Sequence, residues 1–189
     1  VEDMVRAGIR DIIFVTSNGK RAIEDHFDRN FELEYRLEQK KMHKELKEIA
    51  AIGRLANFAF VRQPKPLGDG QAVLQALPFI DDDEPVMIMF GDDLVVDIAK
   101  QLVRVYKQHE QSVLSVIQVP KNRVHLYGVI RAQRIAPDLW RATAWQEKPK
   151  PSEAYSRLAW PGPAILTPEI LSRLRTVRPG ADGEIRLAN

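Results

Sequence analysis

The sequence predicts an α/β fold in which helices flank a mostly parallel sheet and a small antiparallel insertion follows. Three observations carry this. Short apolar runs alternate with helix-like segments as far as Val119, the rhythm of strand–helix–strand units. Met87-Ile88-Met89-Phe90-Gly91-Asp92-Asp93 is a continuous apolar run that stops in a glycine and two carboxylates, the mark of a strand buried on both faces in a parallel sheet. After Pro120, strand-like stretches follow one another without a long helix between them.

In chain order, Val1–Gly8 reads as the last turns of a helix stopped by glycine. Asp11–Ser17 is rich in β-branched residues and reads as a buried strand. Asn18–Phe27 suggests a short helix with Ile23 and Phe27 on one face. Phe31–Ile52 reads as one long charged helix: Leu33, Leu37, Met42, Leu46 and Ile49 form its apolar stripe, and lysines and glutamates form a solvated face. Asn57–Arg62 is the next strand, followed by the Gln63–Gly70 loop and a helix over Gln71–Leu77. The strand over Pro85–Gly91 leads to an amphipathic helix over Ile98–His109 and a strand over Ser112–Val119. Tyr127–Arg131 and Trp140–Gln146 are the insertion strands. Leu158–Leu166 is strand-like but interrupted by Pro161 and Pro163, which predicts an edge position or an irregular strand. Thr167-Pro168 reads as an N-cap and first position of a short helix reaching Leu174.

With 189 residues, one domain spanning 1–189 is expected, truncated at both ends. A net charge of +2 gives no nucleic-acid footprint, so no nucleic-acid partner is expected. The absence of cysteine excludes disulfides, zinc–thiolate sites and cysteine nucleophiles, and fits a reducing, cytoplasmic setting. No apolar run approaches the ~20 residues of a membrane span, so no membrane partner is expected. His26, His43, His109 and His125 lack metal-ligand spacing.

Four local features could carry chemistry. In Gln63–Gly70, glycines would allow close backbone approach to a ligand, and the Gln63 amide both donates and accepts, as a nucleobase edge requires; a plain strand-to-helix turn reads equally well from these residues. Asp92 and Asp93 sit at a strand end, where open parallel sheets bind ligands, and magnesium takes only one or two carboxylates beside substrate phosphates. The Asp81–Glu84 run precedes its strand and reads as a solvated loop. Gly128, in Tyr127-Gly128-Val129, marks either close ligand approach or a bulge. Glu147-Lys148-Pro149 offers a carboxylate and an ammonium for sugar hydroxyls and a phosphate, or simply a surface ion pair.

Taken in order, these pieces resemble the bacterial UTP–glucose-1-phosphate uridylyltransferases, within the sugar-nucleotidyltransferase superfamily. The resemblance runs through Ala7–Thr16, Glu24-Asp25-His26-Phe27-Asp28 with Phe31–Glu34, Val61–Val73, Phe90-Gly91-Asp92-Asp93, Tyr127-Gly128-Val129, Glu147-Lys148-Pro149 and Gly183–Leu187. It implies a Rossmann-like fold of the nucleotide-diphospho-sugar transferase type and magnesium-dependent uridylyl transfer from UTP to glucose-1-phosphate. Gln63 and Gly68 would read uracil, with Asp93 also on the nucleotide. Asp92 would hold the metal, Gly128 and Glu147 the glucose moiety, and Lys148 the sugar phosphate; Asp92 and Lys148 would be the catalytic pair. A homodimer or homotetramer is implied as well.

The family's phosphate loop is expected upstream of Val1, so the chain as given is expected to bind UTP poorly. Leu67, Asp69 and Gln71, Trp160–Pro163 and Ala188-Asn189 depart from common family choices. Thymidylyl or another sugar-1-phosphate nucleotidyl transfer, or a non-catalytic sugar-nucleotide-binding module, are the alternative readings.

Overall fold

Asp11–Thr16 (β1) and Asn57–Arg62 (β2) pair in parallel, from Asp11 opposite Asn57 to Thr16 opposite Arg62. They are the sheet of a first unit, Val1–Asp81 with Arg178–Arg186; Asp82–Val177 and the residues from Leu187 form a second. The computed structural model describes residues 1–180 and 182–188. The departure at Ala188-Asn189 therefore lies partly outside the described residues.

In the first unit, helix α1 (Glu2–Arg6) leads through Gly8 into β1, as expected. Ile12 and Thr16 are buried, but the rest of β1 is half-buried or exposed, because β2 is its one hydrogen-bonded neighbour among the described residues. Helix α2 (Arg21–Phe27) docks by its last residue: Phe27 stacks on Phe14 at 4.9 Å, and Phe14 stacks on its strand partner Phe60 at 5.3 Å. Ile23, expected on the same face, stays exposed.

The long helix expected over Phe31–Ile52 is two helices, α3 (Phe31–Gln39) and α4 (His43–Ile52). Lys41 adopts φ 57°, and two bonds close the end of α3: Lys41 N–H to the Glu38 carbonyl and Met42 N–H to the Leu37 carbonyl, both 2.9 Å. This is a Schellman stop built without glycine. After β2 the chain enters α5 (Asp69–Ala76) and a 3-10 turn over Leu77–Phe79.

In the second unit, β3 (Val86–Ile88) is shorter than the apolar run that predicts it, and it pairs antiparallel with β9 (Ala164–Leu166) rather than with a parallel neighbour. The register ends at Ile88 opposite Ala164, so Met89 would face Pro163, which has no N–H to offer. Helix α6 (Ile98–His109) buries Ala99 and Leu102 and ends with Glu110 at φ 51°.

Ser112–Val119, expected as one strand, is β4 (Val113–Leu114) and β5 (Ile117–Gln118), which belong to different sheets. Leu158–Leu166 divides in the same way into β8 (Leu158–Trp160) and β9. Neither β8 nor β9 is an edge: β9 lies between β3 and β4, and β8 between β5 and β6 (Gly128–Ala136). The prolines sit in the crossover, and the Ser115 backbone N–H and Oγ both donate to the Pro163 carbonyl, at 2.9 and 2.8 Å, where the two segments change sheets together.

Strands β6 and β7 (Leu139–Glu147) form the expected antiparallel insertion. Val119, Val124, Val129 and Ala159 make its core. The final helix, α7 (Pro168–Leu174), has proline in its first turn as expected, but Thr167 does not cap it; its hydroxyl pairs instead with Ser112 Oγ at 3.1 Å. Among the described residues no helix is long and apolar enough to cross a membrane.

Candidate active site

Gln63 follows β2 directly, and its backbone N–H donates to the Thr16 carbonyl at the carboxyl end of β1 (2.8 Å). Glu24 braces the same strand ends: it accepts from Thr16 Oγ1 at 3.2 Å and pairs with Arg62 at 3.5 Å. The Gln63 amide nitrogen donates to the Gly68 carbonyl (3.0 Å) and to Gln71 Oε1 (2.7 Å), so two residues expected at one subsite, Gln63 and Gly68, do meet.

The glycines of this loop admit a close backbone approach from within the chain. Gly68 has φ 101°, and a Cβ there would lie 2.3 Å from the Ile185 carbonyl oxygen; at Gly70 it would lie 2.9 Å from the same atom. What comes close is the chain's own Ile185 backbone, whose N–H donates to the Leu67 carbonyl (2.8 Å) and whose carbonyl accepts from Gln71 N–H (3.2 Å). The loop is thereby clamped. Sequence reasoning placed a motif at Gly183–Leu187 but had no signal for this contact.

In the second unit, Asp92 and Asp93 form the turn after β3, with Asp93 N–H donating to the Phe90 carbonyl (3.2 Å). Asp92 is exposed. Asp93 Oδ2 is buried without a hydrogen-bond partner among the described residues. Its carboxyl is held above the ordinary aspartate range, first by burial and then by the charge of Asp92. Gly162 makes room for it, since a Cβ there would stand 2.2 Å from Oδ2 and 2.6 Å from the Phe90 ring.

From this turn a row of rings leads across the unit. Phe90 meets Trp160 edge-to-face at 5.7 Å, and Trp160 meets Trp145 at 5.3 Å. Trp145 covers Gly128, where a Cβ would fall 2.0 Å from Cζ2. The bulges of β6 lie farther along, at Arg131/Ala132 and Arg134/Ala136, so Gly128 makes space for an indole and is not a bulge residue. This aromatic row escaped sequence reasoning. Its members come from separate segments of the chain, and no local pattern in the sequence joins them.

Strand register brings the remaining three residues together. Gly128 pairs with Glu147 across β6 and β7. Lys148, at φ 41°, donates its N–H to the Tyr127 carbonyl at 3.1 Å, which turns the chain out of the sheet. Its ammonium lies 3.9 Å from Glu147 Oε1, with the lysine side chain 60% exposed. The unit thus offers an acidic turn, a Glu–Lys pair and a row of rings from Phe90 to Trp145. Gln63 and Gly68 belong to the first unit and the other five predicted residues to the second.

No group of three or more His, Cys, Asp or Glu suited to a metal occurs among the described residues. The donors at Asp92 and Asp93 nonetheless fit a magnesium ion, which needs few protein carboxylates when phosphates and water complete its shell. The observation that bears on the fit is the buried Asp93 Oδ2, which has no hydrogen-bond partner among the described residues and stands beside a second carboxylate.

The nucleotidyl transferase family profile matches residues 1–187. The UTP–glucose-1-phosphate uridylyltransferase of Pseudomonas aeruginosa is 38% identical over 194 residues, covering all of this chain and 69% of that protein. A UDP-glucose pyrophosphorylase crystallised with UDP-glucose superposes with a TM-score of 0.82 at 29% identity, over 99% of this chain and 69% of that one. The UTP-bound enzyme of Acinetobacter baumannii gives 0.81 at 33% identity, over 98% and 66%. The chain spans about two thirds of the length of these proteins. Matched along almost its whole length, and sharing a nucleotide-diphospho-sugar transferase fold, the chain belongs to the nucleotidyl transferase family.

Proposed function

We propose that this protein transfers the uridylyl group of UTP to glucose-1-phosphate, giving UDP-glucose and pyrophosphate. The observation that carries the reading is the register of β6 and β7, which sets Glu147 opposite Gly128 and Lys148 beside Glu147 in the unit that also holds Asp92. The names of the relatives point the same way.

In this reading a phosphate oxygen of glucose-1-phosphate attacks the α-phosphorus of UTP in line. The new P–O bond forms as the bond to the β-phosphate oxygen breaks, and pyrophosphate leaves with that electron pair. The attacking oxygen is already anionic, so neither a protein nucleophile nor a general base is required. Lys148 holds the sugar phosphate with its ammonium, and Glu147 accepts from sugar hydroxyls. Gln63 and the Gly68 backbone hold the base. Asp92 would hold magnesium, with Asp93 beside it on the nucleotide side; when bound, the ion neutralises phosphate charge. Catalysis rests on alignment and electrostatic stabilisation.

The test is pyrophosphate release by the full-length protein with magnesium, glucose-1-phosphate and either UTP or dTTP. Turnover with UTP exceeding that with dTTP is expected. Absence of turnover with UTP overturns the assignment, and a preference for dTTP moves it to thymidylyl transfer.

A further inference from the structure

We infer that Gln71 is a specificity-determining positioning residue: it locks the Gln63 amide with its carbonyl facing outward and so selects pyrimidines that carry an N3–H. The inference rests on reading Gln63 as a base-binding residue. A glutamine amide has one donor end and one acceptor end, and the direction it faces decides which base it reads. The Gly68 carbonyl can only accept, so it draws the Gln63 nitrogen (3.0 Å). That uses one N–H. The second goes to Gln71 Oε1 at 2.7 Å, the shorter of the two bonds.

Both donor hydrogens are then consumed within the loop. No hydrogen bond reaches Gln63 Oε1 among the described residues, so the polar group left to a ligand is a carbonyl. A carbonyl accepts from the N3–H of uracil or thymine and faces the N3 lone pair of cytosine with repulsion. Gln71 can act as the lock because it is itself held: it stands in the first turn of α5, and its backbone N–H donates to the clamping Ile185 carbonyl at 3.2 Å. Its own Oε1 is committed to Gln63, which turns its amide nitrogen away.

The experiment measures dissociation constants for UTP and CTP, with magnesium, by calorimetry on the full-length protein. Gln71→Leu and Gln71→Met both remove the acceptor while keeping a good helix former, so one can stand in if the other folds badly. Gln71→Glu keeps an oxygen acceptor, and its added charge acts on both nucleotides alike. Losing one hydrogen bond should lower the UTP-over-CTP preference about five- to tenfold in the Leu and Met variants, with the preference retained in Gln71→Glu. An unchanged preference in Gln71→Leu and Gln71→Met, alongside a lost preference in Gln63→Leu, would overturn the role of Gln71 and leave the base assignment standing. An unchanged preference in Gln63→Leu would overturn the base assignment itself, and the inference with it.

Discussion

Replacing Gly128 with alanine perturbs β6 through its contact with Trp145. The added Cβ would lie 2.0 Å from Trp145 Cζ2 and 2.8 Å from both Cε2 and Cη2. The indole must move by more than an ångström, and it is itself packed on Trp160. Overpacking of this kind costs about 1–3 kcal/mol. Disturbing one aromatic pair adds about 0.5–1.5 kcal/mol. A destabilisation of about 2–4 kcal/mol corresponds, for a chain of this size, to a fall in melting temperature of roughly 4–16 °C. All three tryptophans lie in the second unit, so fluorescence-detected melting reports on that unit. Gly91→Ala is the control: a Cβ there meets nothing within 4 Å, and the change should stay within about 0.5 kcal/mol. In a Trp145→Phe background, which lacks the clashing ring atoms, the Gly128→Ala cost should fall below about 1 kcal/mol. An equal cost in both backgrounds would refute the steric argument.

Two other outcomes follow from the same structure. Asp92→Asn should lower turnover by at least about a hundredfold with an unchanged melting temperature, because an exposed side chain is altered but the charge proposed to hold magnesium is lost; equal activity at saturating magnesium would contradict the metal assignment. Glu34 is held below the ordinary glutamate range by its hydrogen bonds to Arg29, so it contributes stability above its unfolded pKa that is lost as pH falls through the lower folded value. Melting curves between pH 3 and 6 should therefore fall less steeply with acid in Glu34→Gln, and superimposable slopes would remove the pair from the account.

Much of the fold could be read from the sequence where the decisive signal is local. β2 and α6 begin and end where their patterns do. The expectations that failed are those decided by tertiary partners. Nothing in Lys40-Lys41-Met42 announces a helix stop, since a lysine adopts the left-handed position that glycine usually marks. Ser112–Val119 and Leu158–Leu166 each look like one strand because their pattern continues while their partners change, and only the Ser115–Pro163 bonds reveal the shared crossover. The apolar run ending at Asp92 suggested a parallel neighbour, yet β9 runs back between β3 and β4. The polar residues proposed for the site each stand in a local motif. Their supports, the Ile185 clamp and the Phe90–Trp160–Trp145 row, join residues far apart in the chain and carry no local pattern.

The central claim is direct uridylyl transfer between two bound substrates with no protein nucleophile. Following the configuration at phosphorus tests it most directly, using the full-length protein, glucose-1-phosphate and UTP carrying a single-configuration sulfur on the α-phosphate. The account predicts thio-substituted UDP-glucose and pyrophosphate, with inversion at the α-phosphorus. Retention, which requires a covalent uridylyl-enzyme, or hydrolysis without sugar transfer would contradict it.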